Sequence, residues 1–229
     1  MRAVHRIKDV GMTTEAVIFD MDGVLTDSEP VINTAAIKGL REFGIEARPE
    51  DFLPFVGTGE DRYIGGVAEK YGVKYRPEMK HRVYEIYLDI LPGMLERFPG
   101  VAELLQAIRR SGTALGLATS ADRIKMEANL QAIDVPQDWF AAIVTGEDIE
   151  HKKPAPDIYL ACASQLGIEP ACCCVVEDAV NGVEAARAAQ MRCVAVSTSF
   201  SEDELRNRAE PDIVRASLAD VTLADLGIG

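Results

Sequence analysis

The chain has 229 residues, of which 48% are apolar and 27% are charged, and it contains no long uncharged run. These values are typical of a globular protein with a sizeable core, and they exclude a membrane-spanning chain and a small peptide scaffold. Its 24 basic and 37 acidic side chains give a formal net charge of −13. This charge argues against binding to nucleic acid or to an anionic membrane, because both require positive surface. An anionic ligand must therefore be bound by local donors or by a metal ion.

The first predicted element is a buried strand at residues 16–20, where the apolar run AVIFD ends in the turn sequence MDG. Residues 28–97 follow, and they contain helical patterns but no convincing buried strand. The clearest of these patterns covers residues 77–91, where apolar residues recur at helical spacing. We therefore expect a small helical domain, residues 28–97, to be inserted directly after the first strand.

The rest of the chain alternates short apolar runs with amphipathic helices. Such alternation is typical of a parallel sheet with helices on both faces, and right-handed crossovers make the sheet doubly wound. We therefore predict an α/β core domain made of residues 13–27 and 98–229. Its further predicted strands are 113–120, 141–146, 172–178 and 192–198, and its predicted helices are 101–110, 124–132, 157–166 and 180–190.

Polar residues stand where several of these strands end. Ligands of an open parallel sheet bind outside the carboxyl ends of its strands, so these residues form the candidate site. Carboxylates gathered at one edge repel one another, and a divalent cation is their natural neutraliser. The candidate residues are Asp20, Asp22, Thr119, Ser120, Glu177 and Asp178, together with Lys153 in a loop after the strand at 141–146.

Four short motifs in this order resemble those of the haloacid dehalogenase superfamily, which includes phosphohydrolases with an aspartate nucleophile. DMDGVLTDSEP, beginning at Asp20, is similar to the first motif, and Thr119 in GLATS to the second. Lys153 in KKPAPDIYL is similar to the third motif, and the pair Glu177 and Asp178 in VVEDAVNG to the fourth. KPAPDIY and EDAVNGVEAA most resemble the branch that holds β-phosphoglucomutase and CbbY-like sugar-phosphate phosphatases. The resemblance implies a Rossmann-like core, with residues 28–97 as the family's helical C1 cap.

The same residue types suit a Mg²⁺ site, because Mg²⁺ prefers oxygen ligands and usually takes one or two carboxylates plus phosphate and water. We expect Asp20 and Asp178 to supply carboxylate ligands and Asp22 to supply its main-chain carbonyl. Glu177 is expected to bind the metal directly or through a water, although it could also be an exposed charge at a strand end.

Phosphoryl transfer to a carboxylate splits hydrolysis into two easier displacements. We expect Asp20 to be the nucleophile and Asp22 to be a general acid and then a general base. Thr119 and Ser120 are expected to bind the phosphoryl oxygens, and Lys153 to neutralise the charge that develops on them. Two alternatives stay open: Thr119 could cap the next helix, and Lys152 could serve in place of Lys153.

Substrate choice is expected to reside in the loop GTGEDR of the insert. Gly57, Glu60 and Arg62 are its candidate substrate-binding residues, although Arg62 could equally be a solvated helix charge. β-Phosphoglucomutases carry a His and an Arg where this chain has Ile32 and Glu60, and this difference disfavours mutase activity. The prediction is a phosphatase acting on a small phosphorylated metabolite. The alternatives are a phosphosugar mutase and a non-catalytic interaction domain.

The five cysteines include the run Cys172 to Cys174 and show no CxxC spacing. Alternation along a strand sends neighbouring side chains to opposite faces, so we interpret them as reduced, mostly buried core thiols. Reduced thiols and the lack of an apolar segment near the N-terminus predict a cytoplasmic protein, and a start at Met12 instead of Met1 is an alternative. The family resemblance implies a monomer.

Overall fold

The computed structural model describes residues 13–229, so the alternative start at Met12 lies outside the described residues. Six parallel strands form one sheet in the order β3-β2-β1-β4-β5-β6. The five predicted strands are confirmed, each somewhat shorter than predicted, and a sixth completes the edge. The strands are β1 (Ala16–Phe19), β2 (Ala114–Ala118), β3 (Ala142–Val144), β4 (Cys173–Glu177), β5 (Arg192–Val196) and β6 (Ile213–Arg215).

Helices cover both faces of the sheet, which confirms the doubly wound α/β class. The four predicted core helices are present with small differences at their ends. Sequence analysis did not predict α8 or the sixth strand, because both are short. The helices that follow the insert are α4 (Val101–Ser111), α5 (Arg123–Ala132), α6 (Asp157–Leu166), α7 (Val180–Ala188) and α8 (Glu202–Arg208).

Alternation along the strands divides the core between the two faces of the sheet. Val17 faces one apolar cluster, whereas Ile18, its neighbour on β1, faces the other. The cysteine run behaves as predicted, because Cys174 packs in the first cluster and Cys173 in the second, while Cys172 is partly exposed. All five cysteines are free thiols.

The segment between β1 and α4 is helical and has an apolar core of its own. Its helices are α1 (Glu29–Arg41), α2 (Glu60–Lys70) and α3 (Pro77–Ile90). Leu40, Ile64 and Met79, one from each helix, are fully buried together. Among the described residues, no helix is both long and apolar enough to cross a membrane.

The order of the strands in the sheet determines where the candidate site lies. The central strand β1 pairs with β2 on one side and with β4 on the other, so the chain's connections leave in opposite directions at this point. A crevice opens at such a switch point, next to the carboxyl ends of the strands. The turn after β1 contains Gly23 with a φ of 87°, and a Cβ there would lie 1.9 Å from Asp178 Oδ2. Glycine therefore permits the turn after β1 to lie against the end of β4.

Candidate active site

A buried lysine joins the ends of β1 and β4. The Lys153 ammonium lies 2.6 Å from Asp20 Oδ1 and 2.6 Å from Glu177 Oε1, and all three side chains are buried. Burial disfavours the ammonium, but the Asp20 and Glu177 carboxylates outweigh it and raise the pKa of Lys153 above its ordinary value. The lysine therefore stays charged. Lys152 instead donates to the main-chain oxygen of Gly146, so it is Lys153 that contacts Asp20.

Three buried carboxylates lie together beside this lysine. Oxygen atoms of Asp20, Glu177 and Asp178 all lie within 4.8 Å of one another. Burial and the neighbouring Glu177 and Asp20 carboxylates raise the pKa of Asp178 well above its ordinary value. Burial likewise raises the pKa of Asp20 to about 7, although Lys153 opposes this rise. A hard divalent cation would relieve this crowding of negative charge, so the donor set fits Mg²⁺.

Glu177 is not an exposed charge at a strand end, because it is 1% exposed. Its Oε1 accepts hydrogen bonds from Lys153 and, at 2.8 Å, from the Tyr159 hydroxyl. Its Oε2 accepts from the main-chain N–H groups of Asp178 and Ala179, at 2.8 and 2.9 Å. Burial would raise the pKa of Glu177, but Lys153 and these donors hold it below its ordinary value. The carboxylate is therefore ionised and fixed in orientation.

Asp22 has its own set of partners, separate from those of Asp20. Its Oδ2 lies 3.0 Å from the ammonium of Lys125, and its Oδ1 accepts from Ser28 Oγ and, at 3.3 Å, from Asn129 Nδ2. Lys125 also lies 3.2 Å from Glu60 Oε1. Burial lowers the pKa of Lys125, but Asp22 and Glu60 more than compensate and raise it well above its ordinary value. Each of the two aspartates after β1 therefore contacts a different buried ammonium.

Thr119 directly follows β2 and is 1% exposed. Its Oγ1 accepts a hydrogen bond from the main-chain N–H of Ala121 at 3.1 Å. The residue at the N-cap position of α5 is Asp122, so the alternative that Thr119 caps this helix is wrong. Ser120 and Ala121 line the cavity described next, and the loop after β2 thus borders the site.

A cavity of about 880 Å³ lies between the sheet edge and the helical insert. Its wall includes five of the candidate residues from the core: Asp20, Asp22, Lys153, Glu177 and Asp178. The insert contributes, among other residues, Ile32, Leu53, Phe55, Gly57 and Glu60.

The three candidate residues of segment 57–62 have different surroundings. Only Gly57 lies in a loop, because Glu60 and Arg62 belong to α2. Gly57 and Glu60 both border the cavity, and Glu60 is buried against Lys125. Arg62 does not border it. Its guanidinium lies 2.9 Å from Glu69 on the exposed side of α2 and 4.9 Å from the centre of the Phe55 ring. The expectation that Arg62 binds substrate is therefore not supported. Arg62 is two residues after Glu60 in α2, a spacing that puts the two side chains on roughly opposite faces of the helix.

Sequence analysis missed four residues of this site: Ser28, Lys125, Asn129 and Tyr159. Each lies in or beside a helix whose pattern is compatible with an ordinary amphipathic element. The four-residue spacing of Lys125 and Asn129, which puts both on one face of α5, was a usable signal. Nothing in the sequence around Tyr159 distinguishes it from a core aromatic residue.

The fold and this site together define a hydrolase class. Residues 17–196 match the family described as haloacid dehalogenase-like hydrolase, and the chain belongs to that family. A sheet-edge aspartate beside a buried lysine and an acidic cluster is chemically suited to such a hydrolase.

Comparison with individual proteins refines this assignment. The chain is 44% identical over 218 residues to Protein SUPPRESSOR OF QUENCHING 1, chloroplastic, of Arabidopsis thaliana, covering 93% of this chain but only 21% of that protein. It is 31% identical over 214 residues to Hexitol phosphatase B of Escherichia coli, covering 92% of this chain and 96% of that protein. The crystal structure of CbbY from Rhodobacter sphaeroides in complex with phosphate is similar, with a TM-score of 0.80 and 25% identity over 94% of this chain and 100% of that one. A phosphatase of matching length supports phosphatase activity.

Proposed function

We propose that the protein is a Mg²⁺-dependent phosphatase that hydrolyses a small phosphorylated metabolite, a sugar phosphate or a related phosphomonoester, through an aspartyl phosphate on Asp20. The observation that carries this proposal is the position of Asp20. Its carboxylate borders the cavity, contacts the ammonium of Lys153 and is part of the acidic cluster. A nucleophilic carboxylate needs this combination of access to substrate and neighbouring positive charge.

In the first step, an oxygen of Asp20 forms a bond to phosphorus while the bond from phosphorus to the ester oxygen breaks. The departing oxygen takes a proton from the carboxyl group of Asp22 and leaves as an alcohol. Lys153 and the hydroxyl groups of Thr119 and Ser120 stabilise the charge on the phosphoryl oxygens.

In the second step, a water molecule attacks the phosphorus of the aspartyl phosphate. The Asp22 carboxylate, which gave up its proton in the first step, takes one from this water. The bond between phosphorus and Asp20 breaks, inorganic phosphate leaves, and both aspartates return to their starting states. The buried partners of Asp22 hold it close to both the departing and the entering oxygen.

Asp20, Asp178 and the main-chain carbonyl of Asp22 would hold the Mg²⁺ ion. When bound, Mg²⁺ offsets the negative charge of the carboxylates and of the phosphoryl group. Both oxygens of Glu177 already accept hydrogen bonds from protein groups. This favours contact between Glu177 and the ion through a water molecule over direct ligation.

The charges around the cavity favour a substrate whose organic part is neutral. The cations among its described lining residues are Lys125, Lys153 and Arg208, and each of the two lysines contacts two carboxylates. Carboxylate acceptors suit the hydroxyl groups of a sugar or polyol, whereas a second phosphate or a carboxylate on the substrate would be repelled. The carboxylates that border the cavity beyond the acidic cluster are Asp22, Asp27, Glu29, Glu60 and Glu184.

Residues 28–97 are proposed to act as a cap over a core made of residues 13–27 and 98–229. The apolar core of the insert supports a unit that can move as one body. Lys80 of α3 contacts Asp122 of the core at 2.8 Å, so the insert also has ionic contacts that can break and reform. The enzyme is proposed to be a monomer, as the family resemblance implies. The free, mostly buried cysteines support a reducing compartment such as the cytoplasm.

The test is phosphate release from a panel of sugar monophosphates, polyol monophosphates, sugar bisphosphates, 2-phosphoglycolate and nucleotides, with Mg²⁺ or with EDTA. Wild type is compared with Asp20→Asn and with Asp203→Asn, a matched change on the exposed surface of α8. We expect release that requires Mg²⁺, disappears in Asp20→Asn, persists in Asp203→Asn and is largest for neutral monophosphates. Undiminished release by Asp20→Asn would refute the mechanism, and preference for a bisphosphate would refute the inferred substrate class.

The phosphosugar mutase is less well supported. Ile32 borders the cavity with an apolar side chain, and Glu60 is paired with Lys125, so neither offers a positive charge to a second phosphate group. Conversion of one sugar phosphate into another without net phosphate release would favour the mutase. A non-catalytic domain is disfavoured because binding alone does not require a buried nucleophile, a lysine and an acidic cluster together.

A further inference from the structure

Lys125 is a buried lysine whose contacts join separate parts of the chain. It is the third residue of α5, its side chain is 5% exposed, and its ammonium lies 3.0 Å from Asp22 Oδ2 and 3.2 Å from Glu60 Oε1. Asp22 follows β1 in the core, whereas Glu60 begins α2 of the insert. A single ammonium thus connects the insert to the aspartate beside the reaction centre.

The other contacts of Asp22 also come from groups near the border between core and insert. Asn129, one turn after Lys125 on α5, donates to Asp22 Oδ1 at 3.3 Å, and Ser28 donates to the same oxygen. The Tyr87 hydroxyl of α3 donates to Asn129 Oδ1 at 2.6 Å and so turns the amide nitrogen toward Asp22. Hydrogen bonds hold one oxygen of Asp22, and Lys125 holds the other.

The buried carboxylate of Glu60 also relies on the ammonium of Lys125 as its charge partner. Glu60 is 6% exposed, and its Oε2 has no hydrogen-bond partner among residues 13–229. A buried carboxylate without a cation is strongly unfavourable. The contact between Glu60 and Lys125 therefore forms when the insert lies against the core. Lys125 then lies between the carboxylate of Asp22 from the core and the carboxylate of Glu60 from the insert.

We infer that Lys125 is a positioning residue that aligns Asp22 for proton transfer to the leaving group and, through Glu60, makes this alignment depend on contact between insert and core. The inference rests on the proposed phosphatase function. It goes beyond that function because Lys125 does not touch the phosphoryl group in the proposed mechanism. It acts only through the carboxylate that handles the proton.

This role has a kinetic signature that a merely structural role lacks. An alkyl ester oxygen needs a proton as it departs, whereas p-nitrophenolate is stable enough to leave without one. The ratio kcat/KM reports the steps up to release of the alcohol or phenol. A displaced Asp22 should therefore lower kcat/KM for a sugar monophosphate much more than for p-nitrophenyl phosphate.

The experiment compares kcat/KM for these two esters in wild type, Lys125→Met, Lys125→Arg and Lys80→Met. Lys125→Met removes the charge at similar length, and Lys125→Arg keeps it. Lys80→Met removes a different ionic contact between insert and core, the one with Asp122. In Lys125→Met we expect a loss of about 100-fold for the sugar phosphate and of less than about threefold for p-nitrophenyl phosphate. Lys125→Arg should regain most of the loss, and Lys80→Met should affect both esters equally.

An equal loss on both esters in Lys125→Met would overturn the inference, and so would a Lys80→Met variant with the same selective loss. If Lys125→Met does not fold, Glu60→Gln is measured on the same two esters, and an unchanged ratio between them likewise overturns the inference. A crystal structure of either Lys125 variant adds an independent readout, because Asp22 should leave its wild-type position in Lys125→Met and keep it in Lys125→Arg. A wild type that hydrolyses neither ester refutes the proposed function itself and is distinguishable from both results.

Discussion

Gly182→Ala is a small change for which helix propensity and tertiary structure predict opposite signs. Gly182 is the third residue of α7, and alanine in an unconstrained helix is more favourable than glycine by about 1 kcal/mol. A Cβ at this position, however, would lie 1.7 Å from Glu177 Oε1 and 2.0 Å from Glu177 Cδ. Reaching ordinary van der Waals contact near 3.5 Å requires a displacement of about 1.8 Å. The carboxylate or the start of α7 must therefore move.

That displacement would disrupt the hydrogen bonds of Glu177, including the contact of 2.6 Å with Lys153 and that of 2.8 Å with Tyr159. Breaking a buried ion pair lowers stability by about 3–5 kcal/mol. With the gain in helix propensity subtracted, we expect Gly182→Ala to lower the free energy of unfolding by about 2–4 kcal/mol. Because Lys153 also contacts Asp20, a shift of this size should lower kcat/KM by about 100-fold or more.

The assay is urea unfolding followed by circular dichroism, together with phosphate release at saturating Mg²⁺. Gly93→Ala is the control, since a Cβ there meets no atom within 4 Å, and its stability should change little. Adding Glu177→Asp to Gly182→Ala shortens the displaced side chain and should restore part of the lost stability. A Gly182→Ala variant that is as stable and as active as wild type would refute the steric argument.

Three further predictions concern other parts of the chain. The carboxylate of Asp51 accepts a hydrogen bond from Lys70 at 2.5 Å, and this bond is the largest cause of the lowered pKa of Asp51. A carboxyl group with a lowered pKa contributes stability that is present above about pH 4 and is lost as the pH falls further. In urea titrations from pH 6 to pH 2.5, Asp51→Asn should therefore lose less stability than wild type. Cys172 is the one cysteine that is not buried, so a thiol reagent should label about one thiol in the native protein and five after unfolding. Tyr87→Phe removes the buried hydroxyl that bonds to Asn129, and it should lower the free energy of unfolding by about 1–3 kcal/mol in urea titrations.

An Asp51→Asn variant whose stability falls as steeply in acid as that of wild type would show that Asp51 is not a source of acid sensitivity, with the exposed change Asp203→Asn as control. Rapid labelling of more than one native thiol would contradict the burial of the other four cysteines. If Tyr87→Phe is as stable as wild type, the hydrogen bond of Tyr87 only offsets the desolvation of its hydroxyl and adds no net stability.

The site residues that could be predicted from the sequence lie at the ends of β-strands, where the strand pattern alone determines their position. β-Branched apolar runs form the buried strands, and a polar residue that directly follows such a run must lie at the carboxyl edge of the sheet. Asp20, Glu177 and Asp178 could be placed together for this reason, since each is at the end of a strand or directly after it. Segment 57–62 was harder, because alternation and helical spacing do not say which of its side chains faces the cavity, and its second half belongs to α2.

The sequence by itself thus determined the α/β class, the helical insert and the family, because these follow from local periodicity and from short motifs. Only the tertiary structure decided which charged groups are paired. Lys125 meets Asp22 across 103 residues of sequence, and Arg62 turns away from a cavity that Glu60 borders. The side chain of a lysine on an amphipathic helix can either face water or pair with a buried carboxylate. The choice depends on desolvation and on which opposite charge the fold brings within about 4 Å.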